Sequence, residues 1–160
     1  MRAVVLLLLL GCGAAPAPAI ISPANARVMP VLEFKLLSGE AWRSEGRVSV
    51  IDVWATYCKP CKKAFPKLDR LAARYPDVAI IAVSVDEEDA PVHDFVRDVP
   101  VRFAIGRDPT LTVRSAPLAV RELPTVIVLD RAGRVRFRVD KITEPDYDQL
   151  TGVVATLLAE

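Results

Sequence analysis

The sequence predicts an α/β fold: a central mixed sheet flanked by helices, with an N-terminal strand extension and one extra helical crossover. Three observations carry this. Continuous apolar runs rich in β-branched residues, 48–54 and 78–85, alternate with segments of helical periodicity, the pattern of parallel strands covered on both faces. Residues 126–130 and 135–139 are separated only by a short turn at Ala132-Gly133, so they pair as an antiparallel hairpin. With 52% hydrophobic and 26% charged residues among 160, the chain can bury one core.

Residues 31–37 partly alternate and end at Ser38-Gly39, which reads as an edge strand or hairpin arm. Residues 48–54 are nearly all apolar, which places that strand at the centre of the sheet. From 59 to 75, Phe65, Leu68, Leu71 and Ala72 fall on one helical face, and Pro66 inside the segment predicts a bend. A second buried strand follows at 78–85, then a short helix at 87–98 with Val92, Phe95 and Val96 inward, stopped by Pro100. A third strand is expected at 101–105 and a short helix at 109–115. The hairpin after Leu123-Pro124-Thr125 and a helix at 145–158 close the chain. Arg131, Arg134, Arg136 and Arg138 are expected on the solvent face of the hairpin, and His93 on the surface of its helix.

Residues 1–11 read as a signal peptide: Met1-Arg2 supplies a positive charge, and Ala3 to Leu10 is an apolar run of eight, too short to span a bilayer. Leu9-Leu10-Gly11-Cys12 resembles the lipobox of bacterial lipoproteins, which implies a lipid on Cys12 and a membrane anchor; Leu10 departs from the Ala or Ser usual there. The alternative is plain secretion with cleavage after Ala17 or Ala19. Either places the domain on the periplasmic or extracytoplasmic side. Residues 12–30, mostly Ala and Pro, read as a flexible linker, and 31–160 as the folded domain. Lys and Arg number 21 against 20 Asp and Glu, so the chain has no cationic excess to hold nucleic acid.

Cys58-Lys59-Pro60-Cys61 lies between a buried strand and a helix. Cys58 therefore stands at a helix N-terminus, where unpaired amides and the helix dipole favour its thiolate, with Lys59 adding to the effect. A two-residue gap lets the second sulfur close on the first, so the pair can cycle between dithiol and disulfide. A purely structural disulfide would enclose too small a loop to stabilise much. Zinc lacks ligands beyond Cys58, Cys61 and His93, and covalent haem would need a histidine where Lys62 stands.

Residues 50–66, from Val50-Ile51-Asp52-Val53-Trp54-Ala55-Thr56-Tyr57 through Cys58-Lys59-Pro60-Cys61 to Lys62-Lys63-Ala64-Phe65-Pro66, resemble the active-site segment of thioredoxins. The resemblance is nearest to the TlpA/ResA-like branch of exported, membrane-anchored members and extends over residues 31–158. It implies a thioredoxin fold, Cys58 as nucleophile and Cys61 as buried resolving thiol. It also implies that Asp52 relays a proton to and from Cys61; a carboxyl in an apolar strand should have a raised pKa, which suits that work. Pro124 matches the family's cis-proline, and Leu123 before it would offer backbone groups to an extended substrate. Trp54, Tyr57, Lys59 and Pro60 are candidate substrate contacts around the sulfurs. Ala64 departs from members that carry an acid there.

The resemblance implies a thiol-disulfide oxidoreductase acting on exported protein thiols, as a protein-disulfide reductase, with apocytochromes among the substrates of relatives. Its electrons would come from a membrane thiol reductase of the DsbD/CcdA type, since no nicotinamide or flavin motif is present and no cofactor is implied. The molecule is expected to act as a monomer. The alternative is a copper(I) metallochaperone holding the ion on Cys58 and Cys61. A peroxidase is disfavoured because Trp54-Ala55-Thr56-Tyr57 lacks that group's pattern before the cysteine.

Overall fold

Six consecutive buried residues, Ser49–Trp54, form the strand around which the domain is assembled. The computed structural model describes residues 19–160; the expected signal peptide and Cys12 lie outside the described residues. Strands β1 (Glu33–Leu36) and β2 (Ala41–Arg43) form an N-terminal hairpin, turned at Gly39 with φ +91°. Then come β3 (Ser49–Trp54), α1 (Lys59–Arg74), β4 (Ala79–Ser84), α2 (Ala90–Asp98), β5 (Ala104–Arg107), a 3-10 turn at Thr112–Arg114, β6 (Thr125–Leu129), β7 (Val135–Asp140) and α3 (Glu144–Ala159). The sheet order is β2-β1-β5-β4-β3-β6-β7. β3, β4 and β5 run parallel, while the β1–β2 hairpin and β6–β7 hairpin add antiparallel edges.

β3 is central because both of its edges are paired, with β4 on one side and β6 on the other, and its side chains are buried on both faces. α1 lays Cys61, Ala64, Phe65, Leu68 and Leu71 onto the core and continues through Pro66, which lies on its exposed face. α3 packs beside α1 with Tyr147, Leu150, Val153, Val154 and Leu157 inward. Its start is fixed by Asp146, whose carboxyl accepts from the Thr143 N–H at 2.8 Å and hydroxyl at 2.6 Å.

Several expectations shift for identifiable reasons. β2 is absent from the sequence reading because only one of its three side chains is buried, that of Trp42, packed against Phe34. α2 begins at Ala90 instead of 87, since the Arg107 guanidinium takes the carbonyls of Asp86 and Glu87 and holds them in a loop. β5 starts at Ala104 instead of 101, because the Arg102 N–H is given to Asp69 on α1 at 2.8 Å. The helix expected at 109–115 is a single 3-10 turn whose start is pinned by Asp108, which accepts the N–H groups of Thr112 and Val113.

On the β6–β7 hairpin one expectation is overturned. Arg136 does not face solvent: it is 2% exposed. Residues 21–29 run along the outer edge of β7, with Ile21 N–H on the Arg136 carbonyl at 2.7 Å and Val135 N–H on the Arg27 carbonyl at 2.8 Å. The Arg136 side chain is closed in beneath them, donating to the Ile21 carbonyl at 2.6 Å and to Glu160 at 2.8 Å. Alternation places a residue on a face; it does not reveal that a distant segment covers that face. The later part of the expected linker thus serves as an edge cover.

Phe65 joins α1 to the sheet through ring contacts with Trp54, Phe95 and Phe103 at centroid separations of 4.6, 4.9 and 5.4 Å. Phe65→Ala should cost about 3–5 kcal/mol of unfolding free energy, measured by denaturant titration; a loss under about 1 kcal/mol would mean the cluster collapses to fill the space.

Candidate active site

β3 ends at Trp54, and the chain turns through Ala55-Thr56-Tyr57 so that the Cys58 N–H returns to the Ala55 carbonyl at 3.0 Å. Cys58 is the N-cap of α1, with extended backbone, and its sulfur accepts the Cys61 N–H at 3.3 Å. The two sulfurs are joined as a disulfide with Cα atoms 5.3 Å apart. Cys58 is 9% exposed and Cys61 0%, so of the two cysteines only Cys58 has any surface open to solvent. No acid lies in the first turn of α1; Lys59 and Lys62 are there instead, followed by Lys63, all exposed. Amide donors, the dipole and these cations all favour negative charge on the Cys58 sulfur. Pro60, in the first turn of α1, gives up an N–H that the helix would not have used.

Around the sulfurs, Tyr57 is 70% exposed and stands beside Cys58 in the turn. Trp54 is different: its ring is wholly buried against Phe65 and Phe95, so it supports the site from below and has no surface to offer a substrate. The Leu123–Pro124 bond is cis. Thr125 pairs with Val53, which brings Pro124 level with Trp54 at the end of β3 that leads into the cysteines. Leu123 beside it is half-buried. His93 lies exposed on α2.

Asp52 is fully buried, flanked on neighbouring strands by Ala82 and Val126. Burial pushes its carboxyl up to about 7, and a hydrogen bond from the Tyr147 hydroxyl to Oδ1 at 2.6 Å partly opposes that rise. Oδ2 has no hydrogen-bond partner among the described residues. The group is thus poised to take up or release a proton near neutrality.

A second polar cluster holds the turn. The Asp86 carboxyl accepts the Thr56 N–H at 2.9 Å, the Thr56 hydroxyl at 2.6 Å and the Ser84 hydroxyl at 2.7 Å. Arg107 backs it, donating to Ser84 at 3.0 Å and to the Asp86 carbonyl at 2.9 Å. Sequence reasoning missed Asp86, Arg107 and Tyr147. The run Asp86-Glu87-Glu88-Asp89 resembles a solvated helix start, and Tyr147 resembles any apolar-face residue of a helix; a polar residue closing an apolar strand was the available signal for Asp86.

Residues 46–135 match the family model described as thioredoxin-like. The chain belongs to the thioredoxin-like family. This thioredoxin-like chain is 32% identical over 111 residues to the thiol-disulfide oxidoreductase ResA of Bacillus cereus strain ZK / E33L, a match covering 68% of the chain and 62% of that protein. It spans about three fifths of the length of the curated ResA relatives that it matches. Among solved structures, a thiol:disulfide interchange protein DsbE from Chlorobium tepidum superposes with a TM-score of 0.74 at 25% identity, covering 82% of this chain and 96% of that one. MTB DsbF, seen in mixed oxidised and reduced forms, gives 0.69 at 27% identity, with 79% and 94% covered.

Between about pH 4 and about 7 the unfolded chain has released the Asp52 proton while the folded chain retains it, so stability from this group is complete below that window and falls as pH rises through it. Asp52→Asn removes the slope and should be more stable than wild type at pH 8, by on the order of 4 kcal/mol, with the gap closing towards pH 4; parallel denaturation curves at all pH values would contradict the raised carboxyl. Asp86→Ala leaves the Thr56 N–H unpaired and should cost about 2–3 kcal/mol, measured by denaturation, with Asp86→Asn retaining part of it.

Proposed function

We propose that the protein is a thiol-disulfide oxidoreductase that reduces disulfides in exported proteins through Cys58 and Cys61. The observation that carries this is the asymmetry of the pair: Cys58, 9% exposed, caps the N-terminus of α1 over a fully buried Cys61, and the strand that leads into them buries a protonatable carboxyl.

In the reduced protein the Cys58 thiolate attacks one sulfur of the substrate disulfide, forming a mixed disulfide and releasing the other substrate sulfur as thiolate. Cys61 gives its proton to Asp52 and attacks the Cys58 sulfur. The mixed disulfide breaks, the second substrate thiolate leaves, and the Cys58–Cys61 bond is that of the oxidised form described above. Two electrons pass from the enzyme dithiol to the substrate. Tyr57, Lys59, Pro60 and Leu123 form the surface that receives the substrate, with Pro124 shaping the loop opposite the sulfurs.

Electrons return from a membrane thiol reductase of the DsbD/CcdA type, as the ResA-like resemblance implies, and apocytochrome cysteines awaiting cytochrome c maturation are the matching substrate class. Export rests on the charge at Arg2 and the apolar run to Leu10, with the lipid on Cys12 as anchor. Among the described residues no helix is long and apolar enough to cross a membrane.

The pair should titrate against dithiothreitol and glutathione with a potential near thioredoxin's roughly −270 mV; a value near DsbA's roughly −120 mV would reverse the direction to disulfide donation. Cys61→Ser should accumulate mixed disulfides on non-reducing gels while Cys58→Ser accumulates none. A pair that forms no reversible disulfide overturns the reading.

A further inference from the structure

The exchange uses Asp52 but leaves two features of its surroundings without a role. Tyr147 reaches from α3, 95 residues along the chain, and commits its hydroxyl inside the core to Oδ1 of Asp52 at 2.6 Å. Oδ2 is equally buried and has no partner among the described residues. Buried polar atoms are nearly always paired, and one left open marks a position with another use.

We propose that Tyr147 is a positioning residue for the thiol-disulfide step: its hydroxyl holds Oδ1 of Asp52 as a permanent acceptor, so the proton exchanged with Cys61 is carried on Oδ2. This rests on the reading of Asp52 as the acid-base group.

A free carboxyl can carry its proton on either oxygen, and rotation about Cβ–Cγ exchanges them. A phenol hydroxyl bonded to one oxygen removes that freedom. Burial, reinforced by the neighbouring Asp52, pushes the Tyr147 phenol far above its ordinary range, so it remains a donor throughout the titration of Asp52. Oδ1 then accepts in both states, and Oδ2 is the atom open to a proton.

When the enzyme disulfide closes, the Cys61 S–H proton passes to Oδ2, and the sulfur electron pair attacks Cys58 as the bond to the substrate sulfur breaks. When it opens, an incoming thiolate bonds to Cys58, the Cys58–Cys61 bond breaks with its electron pair on Cys61, and Oδ2 returns the proton. Each direction moves one proton over one defined atom.

The other groups around Asp52 leave this task to Tyr147. β4 and β6 place Ala82 and Val126 beside it, neither of them ionisable. On α1 Cys61 is buried, and Lys67, Arg70 and Arg74 line a groove of about 220 Å³ against Tyr147 and Asp148 of α3. Lys67 is engaged by Asp148 at 2.8 Å and the Glu144 carbonyl at 2.9 Å. The Tyr147 ring therefore stands between that charged groove and the carboxyl.

The test compares wild type, Tyr147→Phe, Asp52→Asn and the double variant, following the pH dependence of peptide-disulfide reduction and the ¹³Cγ resonance of Asp52. Wild type should show an inflection near pH 7 in both readouts. Without the hydroxyl that favours the carboxylate, Tyr147→Phe should move both upward by roughly one pH unit and slow the reaction at neutral pH. Fluorotyrosine at 147, a stronger donor with the same shape, should move them downward. In the Asp52→Asn background, Tyr147→Phe should change the rate by less than about twofold, since it acts through the carboxyl. An unmoved inflection in both the phenylalanine and fluorotyrosine proteins, or equal slowing with and without Asp52, overturns the role of Tyr147. Asp52→Asn that keeps the wild-type rate and inflection instead overturns the acid-base reading beneath it.

Discussion

The amide groups at the start of α1 need an acceptor, and this chain supplies a sulfur atom. The Cys61 N–H bonds to the sulfur of Cys58, which places that sulfur where the helix dipole and the free amides act on it together. That contact holds only if β3 ends at a fixed place and the next three residues turn in a fixed way. The sheet register secures the first condition: Trp54 lies opposite Ser84 of β4, and Ser84 opposite Arg107 of β5, one lateral row across the ends of three parallel strands. Asp86 secures the second by gripping Thr56 from the loop that leaves β4, with Arg107 holding that loop in turn. The site therefore sits beyond the carboxyl ends of the parallel strands, where the chain leaves the sheet and its backbone groups are free to be recruited.

Two buried carboxyls near that row do opposite work because their surroundings differ. Asp86 is met by hydroxyl and amide donors on both oxygens, so it acts as a rigid clamp. Asp52 receives one donor and is otherwise walled by aliphatic side chains, which makes charge costly there and leaves a proton exchangeable near neutrality. Position in the strand decides between them: Asp86 has emerged from β4 among loop amides, whereas Asp52 remains inside β3 with both strand neighbours apolar.

The motif, the central strand and the α/β order were legible in the sequence because each depends on local chemistry: a two-residue cysteine spacing, a β-branched run, a three- and four-residue apolar period. What escaped depends on contacts between distant segments. Arg136 reads as solvent-facing by alternation and is buried by residues 21–29 and Glu160. Trp54 reads as part of the rim and is core, because Phe65 and Phe95 close over it from two helices. Tyr147 carries no local signal, since its hydroxyl gains meaning only when α3 is laid against β3. The starts of α2 and β5 were misplaced for the same reason: Arg107 and Asp69 claim backbone groups that local propensity assigns to helix and strand.

The two buried side-chain polar atoms without a hydrogen-bond partner among the described residues, Oδ2 of Asp52 and the indole nitrogen of Trp54, both lie in the half of β3 that leads into the cysteines. Within β3 and β4, the rows that join Val50 to Ile80 and Val128, and Ile51 to Ile81 and Ile127, are purely aliphatic. The rows above them hold Asp52, then Ser84 beside Trp54, whose indole N–H has no partner among the described residues. Each exception weakens a core that an aliphatic residue would fill better, and Asp52 does so increasingly as pH rises towards neutrality. Buried polar groups at the other end have partners: the Ser49 hydroxyl donates to the Arg47 carbonyl, and Arg136 is held by Ile21 and Glu160. An unpaired polar atom is what a site bought with stability looks like, and both such atoms stand on the strand that feeds the cysteine pair.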